Sequence, residues 1–125
     1  MGHRCNYAWR EDGEVTVYYS HWGALSIVRD FFWGLDRSRE FLSQQEVSED
    51  GAWLDDVFGE GGAAIDVDNK TLTLSGDDCG SARALLIELA QAVWAHDGFT
   101  VRDVDSIVDV AVSVGVDPAG GGPGR

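Results

Sequence analysis

Two alternating runs, at 3–10 and 14–20, flank the tripeptide Glu11-Asp12-Gly13, and this pairing constrains the fold more than any other feature of the chain. It reads as a β-hairpin, with Gly13 supplying the left-handed conformation that a three-residue loop needs. An Asp12-Gly13 two-residue turn is the competing register. The longer loop puts His3, Cys5, Tyr7 and Trp9 on one face with Val15, Val17, Tyr19 and His21, and sets Arg10 opposite Glu14. The shorter loop mixes these sets, so a sheet with one buried face selects the longer one.

Past Trp22 the period becomes helical. Leu25, Val28, Phe32 and Leu35 form a stripe interrupted near Gly34, and Asp36 is a candidate N-cap with Phe41 and Leu42 turned inward. Residues 46–60 suit a short acidic helix docked by Trp53, Leu54, Val57 and Phe58. A second hairpin follows at 63–75, turning at Asp68-Asn69-Lys70. The clearest helix spans 81–95, with Ala82, Leu85, Leu86, Leu89 and Val93 as its core stripe and Gly98 as its stop. Phe99–Asp103 is a further strand. Residues 107–114 fit either period, and an N-cap at Asp105 or Ser106 selects helix. The expected fold is therefore α+β: two β-hairpins in a largely antiparallel sheet packed against three to four helices. One domain is expected over 1–116, with a disordered Gly-rich tail at 117–125.

A chain of 125 residues can bury a self-sufficient core, and its 44% apolar and 25% charged composition is that of a globular protein. The net charge of −13 is the unusual quantity. A field of that sign repels nucleic-acid phosphates and anionic membrane surfaces, and it steers cationic partners inward. Cys5 and Cys79 are the only cysteines, and no basic-then-apolar leader opens the chain. Both features point to a reduced, cytoplasmic setting. Arg29 and Asp30 break the most apolar stretch, so no transmembrane span is expected.

The charge is uneven. Residues 46–78 carry ten acids against Lys70 alone, whereas residues 1–45 carry six acids and five bases. Glu49, Asp50, Asp55, Asp56 and Glu60 are the candidate docking face for a basic partner. The plainer reading of the same acids is a solvated surface, and carboxylate clusters can also hold divalent cations. Asp66-Val67-Asp68-Asn69 lacks the central Gly and the distal Glu of a calcium loop, and a hairpin turn accounts for it.

Two sites for chemistry stand out. The hairpin register places His3 and His21 opposite each other with Cys5 one pleat away, a possible zinc set with acid or water as fourth ligand. No paired Cys-x-x-Cys supports it, and local structural roles for both histidines compete with it. The second site is the dense stretch Tyr18-Tyr19-Ser20-His21-Trp22-Gly23-Ala24 with Arg29-Asp30-Phe31-Phe32-Trp33-Gly34. It offers His21, Trp22, Arg29, Asp30 and Trp33 to a pocket, or else it is core at a strand-to-helix junction. No phosphate loop and no Gly-x-Ser-x-Gly elbow occur.

The segment Tyr18–Ala24 resembles one that recurs in small bacterial proteins of uncharacterised activity. The likeness extends to Gly2-His3-Arg4, to the glycines near Gly61 and to the long helix. It implies a shared fold and brings no activity, cofactor or catalytic residue.

The leading expectation is a non-enzymatic acidic protein-interaction domain, such as an immunity- or antitoxin-like inhibitor of a basic partner. The alternatives are a small-molecule or metal-binding domain, possible as an enzyme, and a nucleic-acid mimic. No cofactor beyond that zinc set is expected.

Overall fold

Cys5–Glu11 (β1) and Glu14–Ser20 (β2) do pair antiparallel, but through the shorter turn. In the computed structural model, which describes residues 4–48, 51, 53, 59–76 and 79–116, Glu11 faces Glu14 and Arg10 faces Val15. Asp12 and Gly13 both take positive φ, 55° and 79°. That is the requirement of a two-residue hairpin turn whose twist matches the strands. The longer loop rests on one wet face, and over Cys5–Ala8 β1 has none. Cys5 and Tyr7 are buried on one side of β1, Asn6 and Ala8 on the other. With both faces covered, turn chemistry alone decides the register.

Four further strands follow: β3 (Glu46–Val47), β4 (Gly61–Asp66), β5 (Thr71–Ser75) and β6 (Thr100–Asp103). The sheet is not two hairpins in a largely antiparallel array but one mixed sheet of six strands, ordered β3-β2-β1-β4-β5-β6. The two hairpins join through a parallel β1/β4 pairing, and β6 adds parallel to β5. The parallel join brings both hairpin turns to one end of the sheet. There the Asp68 carboxylate accepts hydrogen bonds from the Asp12 and Gly13 amides at 2.8 and 2.9 Å, with Arg10 at 3.5 Å.

Helices cover both faces. On one side lie α1 (Ile27–Phe31), α2 (Leu35–Ser43) and α3 (Arg83–Ala95). They bury Ile27, Phe31, Leu42, Ile87, Ala90 and Trp94 against Tyr7, Ile65, Leu72 and Leu74. On the other side α4 (Ile107–Ser113) sets Ile107, Val110 and Ala111 against Ala8, Val17 and Ala64, with Trp53 beside them. The fold is α+β in three layers. Each buried Trp also satisfies a carbonyl: Trp94 Nε1 donates to Phe31 O at 2.7 Å and Trp53 Nε1 to Ile107 O at 2.9 Å. Removing an indole from water contributes about 4–6 kcal/mol of apolar transfer before entropy is counted.

Local signals explain the helix ends. The Ser106 hydroxyl accepts from the Val108 amide at 2.9 Å and so caps α4. Gly34 (φ 99°), not Asp36, is the cap residue of α2, and Asp36 falls in its first turn. Glu46 and Val47, expected to open a helix, pair as β3 with Tyr18 and Tyr19. Leu54, Val57, Phe58 and the tail at 117–125 lie outside the described residues.

Candidate functional site

The proposed zinc set does not come together. Cys5 is fully buried, and His21 is exposed with its ring edge-on to Trp22 at 4.8 Å and its Nδ1 3.3 Å from the Tyr19 hydroxyl. The two-residue turn pairs Cys5 with Ser20 and leaves no pleat that His21 shares with Cys5. His3 lies outside the described residues, among which no group of three or more His, Cys, Asp or Glu is placed to hold a metal.

Cys5 belongs instead to a buried polar knot. Tyr7, Cys5 and Ser20 converge beneath Gly23, the glycine of the Tyr18–Ala24 segment. A Cβ there would lie 2.5 Å from Cys5 Sγ, 2.9 Å from Ser20 Oγ and closer still to the Tyr7 hydroxyl. Burial pushes the Cys5 thiol up to about 12 and raises the Tyr7 phenol further. Both groups stay protonated, so the knot offers no nucleophile. The Tyr7 ring meets Phe31 and Phe41 at 5.2 and 5.5 Å, which makes this junction core.

The other members of the aromatic stretch do form a surface feature. Arg29 and Trp33 are shared by two adjoining clefts at the outer side of α1. One, of about 340 Å³, is lined by Val28, Phe32 and Leu86 as well, and is apolar. The other, of about 250 Å³, adds Asp30, Arg37, Glu40 and Gln44. Arg29 also donates to Leu25 O at 3.0 Å, and the Ser26 hydroxyl donates to Asp30 at 2.7 Å, so each has a local anchor. Of the five predicted pocket residues, Arg29, Asp30 and Trp33 line these clefts, whereas His21 and Trp22 do not.

Sequence reasoning missed the rest of this surface because it set the core arc of α3 on Leu85 and Leu89 as well as on Leu86, and of these only Leu86 packs against the core. Its buried residues are Ile87, Ala90 and Trp94. Leu85 and Leu89, assigned to the core stripe, are 59% and 45% exposed, and Trp33 is 67% exposed. Leu86 lines the apolar cleft with Phe32 and Trp33, and on α3 the exposed Leu89 follows Leu86 by three residues and Leu85 by four, so helical spacing continues the apolar surface outward from the cleft. The signal was present: Ile87, Ala90 and Trp94 hold a helical spacing as good as the chosen stripe and include the largest side chain.

Of the acidic docking residues only Glu60 is described, and it is exposed. Glu49, Asp50, Asp55 and Asp56 lie outside the described residues, and so does most of any carboxylate row that a nucleic-acid mimic would need. The three helices of the first layer carry Arg29, Arg37, Arg39 and Arg83 against Asp30, Asp36, Glu40 and Glu88. That layer is neutral, and the whole excess of −13 belongs to the remainder of the chain. Among the described residues no helix is long and apolar enough to cross a membrane. No family model, curated protein or solved structure matches the chain.

Proposed function

We propose that the chain is a non-enzymatic protein-interaction domain that docks a cationic partner, in the manner of an immunity- or antitoxin-like inhibitor. The observation that carries the reading is the division of charge: a neutral α1–α2–α3 layer, with all of the −13 elsewhere. A field of this size raises the encounter rate of a basic surface and orients it before contact. Glu49, Asp50, Asp55, Asp56 and Glu60 are the candidate first contacts. The buried, protonated Cys5 and Tyr7 suit an architectural role beside this one.

The test is a partner captured at low salt and then titrated as a purified pair. Affinity should fall as salt rises, and replacing Asp55 and Asp56 by Asn and Glu60 by Gln should slow association about tenfold. Association that ignores both salt and the triple substitution removes the reading.

A further inference from the structure

The apolar α1–α3 face carries as many arginines as acids, so its charge does not draw a basic protein to it. We propose that a second copy of this chain covers it, each Trp33 entering the other's apolar cleft.

Size supports this occupant. Trp33, Leu85 and Leu89 at the exposures above, with the outer edges of Phe32 and Leu86, present on the order of 400 Å² of apolar surface. A stable interface buries about 800 Å² per partner, of which roughly 60% is apolar. The apolar face supplies most of that share, and the neighbouring Arg29, Arg37, Glu40 and Glu88 supply a polar rim.

Shape and charge then favour self-association over a different partner. A two-fold interface must be complementary to itself. This face holds both halves of such a fit: a protruding indole and, directly beside it, an apolar cleft of about 340 Å³. Its charges are balanced as well, with Arg29, Asp30, Arg37 and Glu40 around the adjoining cleft. Two chains of −13 repel each other, and a layer whose own charges balance adds least to that repulsion.

Salt distinguishes the two associations by sign. Screening strengthens contact between like-charged copies and weakens contact with a cationic partner. The full chain is sedimented at equilibrium from about 1 to 100 µM, the range in which a modest interface populates both states, in about 50 and 500 mM NaCl. The expected result is a monomer–dimer equilibrium that tightens at the higher salt. Leu85→Glu and Trp33→Ser, both at exposed positions, should each weaken it about 30-fold or more. Val112→Glu, equally exposed but on α4, should leave it unchanged. A chain that stays monomeric throughout overturns the proposal, as does a dimer indifferent to Leu85→Glu or one that salt dissociates. Binding of a cationic partner by the Leu85→Glu monomer is a separate readout. Its loss counts against the acidic-face reading, and its survival leaves the dimer to be judged by sedimentation alone.

Discussion

Gly23→Ala tests the packing of the strand-to-helix junction directly. Gly23 is not among the residues at positive φ, so an alanine brings no backbone strain and its whole cost is steric. The new methyl would sit 2.5 Å from Cys5 Sγ and 2.9 Å from Ser20 Oγ, and nearer to the Tyr7 oxygen. Ordinary contact begins near 3.4 Å, so these atoms must each retreat by about half an ångström or more from a shell that is close-packed. Overpacking on this scale costs roughly 1–3 kcal/mol, and two fully buried neighbours place it in the upper half. For a chain of this length about 2 kcal/mol lowers Tm by roughly 6–12 °C. Urea and thermal unfolding followed by circular dichroism measure it. Tyr7→Phe removes the nearest oxygen, and that hydroxyl has no hydrogen-bond partner of good geometry among the described residues. Tyr7→Phe alone should therefore change stability little, and the double variant should recover about half of the Gly23→Ala loss. A Gly23→Ala protein within about 0.5 kcal/mol of the parent, or a double variant with additive losses, refutes the argument.

Gly13 is the converse case, with a φ of +79° and open space around its missing Cβ. Gly13→Ala should cost about 1 kcal/mol from backbone strain alone and Gly13→Asn less, as chemical denaturation would show. Ser106→Ala removes the α4 cap and should cost about 1 kcal/mol in the same assay, whereas Ser106→Asp should keep most of it. The Gly13 and Asp12 amides, and then Arg10, hold the Asp68 carboxyl below its ordinary range. Its contribution is complete above about pH 4 and is lost as pH falls through the depressed value, so Asp68→Asn should flatten the acid limb of a Tm-against-pH profile. With its thiol raised to about 12 and buried, Cys5 should resist alkylation at pH 8. Native protein should then titrate at most one thiol with a chromogenic disulfide and denatured protein two.

Short-range features were legible in the chain and long-range ones were not. The turn at Asp68–Lys70, the α4 cap at Ser106 and the stop near Gly98 are written in one or two residues each, because their cause is local backbone conformation; the first turn was located at Gly13 but given one residue too many. The β1/β4 pairing joins Cys5 to Gly61 across 56 positions and leaves no mark in either strand, so only the folded chain shows it. The β5–α3–β6 unit was nearer to being readable, since a strand, a long helix and a strand ordinarily make a parallel crossover. Choosing the hairpin register by one-sided burial failed for a related reason. Both faces of β1 are covered, and the second cover is α4, which reaches it from a hundred residues away.

The same limitation bears on the candidate site, and there it is informative. Apolar residues occupy most positions of α3, leaving Arg83, Glu88 and Gln91 as its polar side chains. Periodicity in such a helix cannot say which apolar arc meets the sheet; size does, because Trp94 fills more of the core than any leucine could. Once Ile87, Ala90 and Trp94 are committed inward, Leu85 and Leu89 point away from the core. A helix that is apolar on nearly all sides is usually covered on all sides. The sheet covers one arc of α3 and α1 flanks a second at Val28, Phe32 and Leu86. The arc at Leu85 and Leu89 is left over, on the one neutral layer of a strongly acidic molecule. Solubility ordinarily puts charge at exposed helix positions such as these. Leucines exposed at two adjoining turns of one helix are what that helix needs when another chain completes its burial.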